Sequence, residues 1–367
     1  MQASHADRRG FSLVELLVSM AVSSMVMAGV FTVMTSTQQA NNTVKQVTTM
    51  NNNLRVAMDL IVRDLIQAGQ VLPAGMVVTI PSGASALPIP RPGPIGENYT
   101  FDDTLSTISA ITVGRELGPV INGEATDMIT ILAADNAFDE VTLTAISTVS
   151  MTVSNAATIS DSPDVDGDNL RVGDLLLFEK GSVSSLRYVT GVNGQVVEFG
   201  QGDPMNLNQT GATDGTMAQY LAAAPAEVLN GGVLPSRVTR LRMISYYLET
   251  TNDSQRDLRL IRRINNNPPT TVAFFIEGFT ITYDLIDGVI NPTDVEMNAD
   301  DLAGTGACDP APAVAPLLPC SPNQIRKVNV RLAGRSAEPD HASRIFFRNT
   351  LSTQVSLRSL ALVNRYM

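Results

Sequence analysis

The feature that most constrains this chain is an apolar run near its start. Residues 11–34, FSLVELLVSMAVSSMVMAGVFTVM, hold 17 apolar side chains, one Gly, five Ser or Thr and a single acid, Glu15. At ~1.5 Å per residue a helix of this length reaches about 36 Å, more than the ~30 Å apolar core of a bilayer. Between Gly10 and Lys45, Glu15 is the only ionisable side chain. Arg8 and Arg9 stand just before the run, and the positive-inside rule keeps that end cytoplasmic and sends the rest outward. A cleaved secretory signal fits poorly, since the run is too long and no A-x-A site follows it. A plain signal anchor satisfies the hydropathy equally well, but it leaves Glu15 unexplained. An acid inside an apolar span costs a few kcal/mol unless it is paired, so an intramembrane carboxylate points to function.

Composition removes several function classes. The 367 residues are 44% hydrophobic and 17% charged, a balance that supports a folded chain. Lys+Arg is 25 against Asp+Glu 36, and a net charge of −11 argues against a general nucleic-acid binder. Two His and two Cys nearly exclude a His/Cys zinc site and weaken any His-based catalysis. The sequence has no HExxH, Walker A, GxSxG or GxGxxG, and nothing singles out a carboxylate pair for glycoside chemistry. The expectation is a protein that is not an enzyme and needs no cofactor.

The residues around the start of the run carry a resemblance. Arg9-Gly10-Phe11-Ser12-Leu13-Val14-Glu15 is similar to the prepilin signature, the class III signal peptide of type IV pilins and type II secretion pseudopilins. The resemblance implies that a membrane aspartyl peptidase cuts between Gly10 and Phe11 and methylates Phe11. Residues 1–10 would be lost, Glu15 would become the fifth residue, and the apolar run would stay as an anchor. A methylated amine remains a cation, and in low dielectric it and the Glu15 carboxylate neutralise one another. The residues leave open whether that pair forms within one subunit or between two; the family implies the latter, which sets axial register in a filament. After processing, His341 is the only histidine.

Helical character continues beyond the run. Val44, Val47, Met50, Leu54, Met58, Ile61 and Leu65 recur at three- and four-residue steps, with polar Arg55, Asp59, Arg63 and Asp64 between them. Gly69 and Pro73 then supply a stop, so the spacing predicts one helix over about 12–68. Residues 70–98 are rich in Pro and Gly and read as an irregular wrap or linker. Short β-branched runs follow: 127–132, 141–153, 175–178, 186–192, 196–199, 238–248, 258–264, 272–285, 325–332 and 344–347. Val192-Asn193-Gly194-Gln195-Val196 is a candidate two-residue hairpin. The expected fold class is α+β, type IV pilin-like: a cleaved leader over 1–10, a long helix over 11–69, a linker over 70–98 and a mainly antiparallel β head over 99–367.

Further stretches resemble minor pilins of the PilW-like family. They are Leu170–Leu177 (LRVGDLLL), with a "VGD" lead-in to a strand, Phe275-Ile276-Glu277-Gly278-Phe279 running to Tyr283-Asp284, Val328–Ser336, and Leu351–Arg358. The resemblance implies a structural minor pilin for pilus assembly, priming or the tip. It would sit in the inner membrane, with the N-terminus cytoplasmic, before moving to an extracellular pilus. Its partners would be the prepilin peptidase, other major and minor pilins and the assembly platform. A type II secretion pseudopilin of the J class is the alternative family reading. An adhesive, ligand-binding tip module and a membrane-anchored enzyme are the other function classes.

Smaller signals remain. Cys308 and Cys320 fall in an oxidising compartment, so either a disulfide or two free thiols is open; a C-terminal disulfide loop also resembles pilins in general. Asp164, Asp166 and Asp168 imitate the first ligands of a calcium loop, but Asn169 and Leu175 stand where Gly and Glu are needed, so a solvated loop is the plainer reading. The acidic run 294–301 has the same ambiguity. Residues 97–181 hold 15 acids and 3 bases, and residues 321–367 hold 8 bases and 2 acids. These segments either guide docking or are solvated. Arg256, Arg259, Arg262 and Arg263 interleave with Asp253 and Asp257, a poor pattern for DNA. His341 reads as an exposed turn residue.

Overall fold

The computed structural model describes residues 12–69, 77–101, 107–135, 143–154, 170–180, 183–223, 237–250, 258–286, 292–293, 325–340 and 343–357. It shows an α+β protein with one long N-terminal helix, α1 (Leu13–Gln67), and a large antiparallel β portion. The chain divides into two compact units. One comprises Met1–Asn51 with Ser336–Phe347, and the other, called the head here, comprises Asn52–Arg335 with Arg348–Met367.

In the first unit, α1 starts within a residue of the expected position, because the periodic apolar residues meet no Pro and only one Gly. Segment 344–347, expected as a strand, is not one. Arg344 takes φ +59° and its N–H donates to the Asp340 carbonyl at 2.9 Å, which closes a loop rather than extending the chain. The Asp340 carboxylate also accepts from the Ser343 N–H at 3.0 Å and hydroxyl at 2.9 Å. The Ser336 N–H donates to the Phe347 carbonyl at 2.8 Å, fixing the two ends of the loop together.

In the head, the central feature is a seven-stranded antiparallel sheet. Its strands are β3 (Ile111–Gly114), β6 (Met128–Ala134), β9 (Leu175–Lys180), β10 (Val183–Tyr188), β13 (Arg237–Thr250), β14 (Leu258–Ile264) and β15 (Thr270–Phe274). The 14-residue β13 is its spine. One edge of β13 pairs with β9 over Arg237–Leu241 and then with β14 over Ile244–Thr250, while its other edge pairs with β6 over Leu241–Tyr246. The last turns of α1 bury Leu54, Ala57, Met58, Ile61 and Leu65, spaced three and four apart as one stripe. The helix ends against the sheet, where Gly69, at φ +68°, donates its N–H to the Leu132 carbonyl at 3.0 Å.

The expected run 272–285 is two strands, β15 and β16 (Ile276–Ile286), which lie in different sheets. Phe275 separates them with φ +60°, a conformation that costs a non-glycine residue about 1–2 kcal/mol. Two hydrogen bonds hold it there: its N–H donates to the Leu258 carbonyl at 2.6 Å, and its carbonyl accepts from the Arg335 N–H at 2.9 Å. β16 pairs with the two-residue β17 (Pro292–Thr293) and with β18 (Ile325–Arg335), and β18 pairs with β19 (Arg348–Ser356). Run 141–153 likewise divides into β7 (Leu143–Ile146) and β8 (Ser150–Val153), joined by a turn in which the Ser147 hydroxyl accepts from the Ser150 N–H at 3.0 Å.

β7 and β8 form a sheet with β11 (Gly191–Asn193) and β12 (Val196–Glu198). The β11–β12 hairpin has the expected two-residue loop, but Asn193 pairs with Val196, so Gly194 and Gln195 form the loop and Gly194 takes φ +61°. A satellite core lies beneath, where Phe178 meets Phe199 and the Tyr220 ring of α2 (Met217–Ala222) edge-on at 5.5 and 5.9 Å. Two further pairs complete the head: β1 (Val77–Thr79) with β2 (Thr107–Ser109), and β4 (Val120–Ile121) with β5 (Glu124–Ala125). Segment 77–101 is a fastened wrap. Besides β1, it bridges Ser82 to Asp214 and buries Ile80, Ile89 and Arg91.

Candidate functional site

The part of α1 over Leu13–Met34 is the region whose chemistry sets it apart. An 18-residue window within α1 has mean hydropathy 2.1 and none of it is buried, so one helix is long and apolar enough to cross a membrane. At 1.5 Å per residue, residues 13–34 span about 33 Å. A membrane-crossing helix must also satisfy its hydroxyls without water. Ser19, Ser24 and Thr32 do so by donating to the carbonyls four residues back, those of Glu15, Met20 and Ala28, at 2.7, 2.8 and 2.9 Å. Thr35 and Thr37 donate to Phe31 and Val33 in the same way. Three of the four hydroxyls over residues 13–34 therefore add little polarity to the surface, and Ser23 is the exception.

Glu15 lies in the first turn of α1. Its Oε2 accepts from the Ser12 N–H at 3.3 Å, and the Leu16 N–H donates to the Ser12 carbonyl at 3.1 Å. Ser12 thus occupies the position before the first helical residue and Glu15 the third helical position, the reciprocal half of a capping box. The negative side chain also sits where the helix dipole favours it. Sequence reading weighed Glu15 only as a partner for a terminal amine; the S-x-x-E spacing ahead of an apolar run is the signal that shows its second role.

The other expected site residues are not brought to this turn. Gly10, Phe11, Asp164, Asp166, Asp168, Cys308, Cys320 and His341 lie outside the described residues, as does the acidic run 294–301. Among the described residues, no group of three or more His, Cys, Asp or Glu is placed to hold a metal ion.

Two charged clusters in the head were not anticipated. Asp64, assigned from the sequence to the polar positions of α1, is buried. It accepts from the Tyr246 hydroxyl at 2.5 Å and from Arg262 Nε at 2.7 Å and Nη2 at 3.2 Å. Burial and the Asp64 charge push the Tyr246 phenol far above its usual range, so it remains a donor. The second cluster joins Asp135 to Arg240 at 2.7 Å and to Arg242 at 2.6 Å, with Asp174 3.4 Å from Arg240. Burial pushes the Asp174 carboxyl up, and the Arg171 N–H and Arg240 only partly offset it. Asp174 ends the "VGD" stretch, where Gly173 takes φ +98° and the Asp174 carboxylate accepts from the Arg171 N–H at 2.8 Å. Both clusters tie parts of the head together.

Comparison with known proteins bears on the N-terminal region. Residues 5–31 match the family model of the prokaryotic N-terminal methylation motif. That motif indicates a type IV pilin-like or pseudopilin precursor. For such a precursor the motif implies processing by a peptidase and assembly with pilins in membrane machinery, and the apolar helix behind it suits membrane anchoring before assembly. No curated protein and no solved structure matches the chain. The matched residues take in the first turn of α1, with Glu15, and most of its apolar stretch.

Proposed function

We propose that the chain is a minor pilin of the PilW-like kind, a structural subunit that primes or tips a type IV pilus. The observation that carries this reading is the methylation motif over residues 5–31 leading directly into the apolar segment of α1. In this reading the peptidase cuts between Gly10 and Phe11 and Phe11 is methylated. The apolar helix stores the subunit in the inner membrane with its N-terminus cytoplasmic. On assembly, the same helix exchanges lipid for neighbouring helices, a transfer between two apolar surroundings that costs little. The charged amine of Phe11 and the Glu15 carboxylate of a neighbour would then set register, because an unpaired charge in that environment is expensive.

The resemblances at residues 170–177, 275–284, 328–336 and 351–358 favour the PilW-like kind over a secretion pseudopilin. A strain lacking the chain is expected to lose surface pili, to regain them when the full chain is supplied, and to keep normal type II secretion. Intact pili with failed secretion would instead make the protein a pseudopilin of the J class.

A further inference from the structure

The sheet β17–β16–β18–β19 ends in β19, and among the described residues no strand pairs with the far edge of β19. Two bonds flanking its ladder fix which residues point that way. The Leu357 N–H donates to the Arg326 carbonyl and the Ser336 N–H to the Phe347 carbonyl, both at 2.8 Å, in the register that pairs Ser356 with Lys327 and Arg348 with Arg335. Odd-numbered residues therefore bond to β18, and the N–H and C=O of Arg348, Thr350, Ser352, Gln354 and Ser356 point outward. Among these outward N–H groups, that of Thr350 is held by the Asn349 side-chain oxygen at 2.9 Å. Those of Ser352, Gln354 and Ser356 have no partner among the described residues.

Natural sheets blunt such edges with short strands, proline, bulges, charge or a covering segment. The other described edge strands of the head follow that rule. β1, β2, β4, β5, β11 and β17 have two or three residues, and β3 and β7 have four. β15 follows Pro268-Pro269 and meets β14 through a bulge. β10 has β1 against it, with the Thr79 N–H donating to the Ser184 hydroxyl at 3.2 Å. β19 has none of these devices. It runs nine residues in unbroken register with β18, without Pro and, beyond Arg348, without charge. Its even-numbered side chains are exposed, while Leu351 and Thr353 are half-buried and Val355 is buried.

We infer that β19 docks the same strand of a second copy of this chain, antiparallel, about a two-fold axis at Ser352. Ser352 is the midpoint of β19 and points its backbone outward, so this register overlaps the two strands along their whole length. The two Ser352 Cα atoms would lie about 5.5 Å apart, a gap that two hydroxymethyl side chains fit. Thr350 would face Gln354 of the second copy and Arg348 would face Ser356, so the two Arg348 side chains stand at opposite ends and no like charges oppose. On the other face Leu351 would meet Thr353, and Asn349 would meet Val355, carrying the alternation of the sheet into the second copy. A strand from a different protein would need the same uncharged pattern, polar on one face and aliphatic on the other. β19 supplies that pattern itself, and one contact covers two bare edges. Such a contact is isologous and closes on two copies, whereas a filament contact is heterologous and repeats, so the inference does not rest on the pilus role proposed above.

The test is sedimentation of the full-length chain in detergent, with reductant present, together with amide hydrogen exchange. The wild type is expected to form a dimer that dissociates on dilution, with the Ser352, Gln354 and Ser356 N–H groups protected in the dimer and not in the monomer. Ser352→Lys sets two ammonium groups facing each other at the axis, beside Arg331 of each chain, and is expected to weaken the dimer at least about tenfold, with salt restoring part of the loss. Ser352→Pro removes the N–H at the axis and is expected to weaken the dimer without that salt dependence. Both variants are expected to stay within about 4 °C of the wild-type Tm, because the Ser352 N–H and hydroxyl hold no bond within the chain among the described residues. A wild-type chain that stays monomeric, a dimer that both variants leave unchanged, or a dimer whose Ser352, Gln354 and Ser356 N–H groups exchange as fast as in the monomer would each overturn the assignment.

Discussion

Replacing Asp64 with alanine is expected to destabilise the head by about 3–5 kcal/mol, the cost of removing one partner from a buried ion pair. The carboxylate is 3% exposed, and it takes hydrogen bonds from both Tyr246 and Arg262. Its loss would leave a mostly buried guanidinium and a buried phenol facing each other, 3.1 Å apart, without a negative charge. Asp64→Asn keeps the shape and one acceptor but removes the charge, so its effect should be smaller. Replacing Asp64, Tyr246 and Arg262 together with apolar residues should recover much of the stability, since a buried cluster exchanged whole for well-packed apolar groups is often neutral. Chemical unfolding of the full-length chain in detergent measures all three. An Asp64→Ala chain within about 0.5 kcal/mol of wild type, the range of ordinary surface changes, would mean the cluster is not what fastens the end of α1 to the sheet.

The second large effect concerns assembly. Glu15→Val is expected to leave cleavage after Gly10 intact while reducing the chain in filaments about 100-fold. An uncompensated charge in an apolar span costs roughly 2.5–3.5 kcal/mol, which sets that scale. The variant also loses the bond from the Ser12 N–H, at a cap cost of about 0.5–2 kcal/mol. Glu15→Gln keeps an acceptor for the Ser12 N–H and lacks the charge, so it separates capping from pairing. If pairing governs assembly, Gln fails as Val does; if capping governs it, Gln assembles. Immunoblots of sheared filaments and of membranes read both fractions. A Glu15→Val chain present in filaments at the wild-type level would remove Glu15 from the assembly mechanism.

Much of the fold could be read in advance where local signals were strong. The helix expected over 12–68 is Leu13–Gln67, because apolar spacing and Gly69 act within a few residues of each other. The strand expected over 258–264 is β14 with the same bounds. The break at Phe275 had no such signal, since a bulky residue with positive φ is held by hydrogen bonds from residues distant in sequence. At 344–347 the departure is local: Arg344, at positive φ, donates its N–H to the Asp340 carbonyl four residues back, a turn that the apolar content of the run does not signal. Asp64 was misassigned because a carboxylate on a helix ordinarily faces water, and its partner Arg262 is 198 residues away. One clue was present: Ala57, Ile61, Asp64 and Ala68 follow the three- and four-residue spacing of the buried stripe, so Asp64 falls on it. The methylation motif over residues 5–31 and the apolar helix behind it were legible, because both depend on residues contiguous in sequence.

The central claim is that this chain is cut after Gly10 and carried by its apolar helix into a pilus. The most direct measurement is mass spectrometry of sheared filaments and of inner membranes, searching for the peptide that begins at Phe11. The account predicts an N-methylated Phe11 terminus in both fractions. A peptide that still spans Gly10-Phe11 in every fraction would contradict it and make the segment a plain signal anchor.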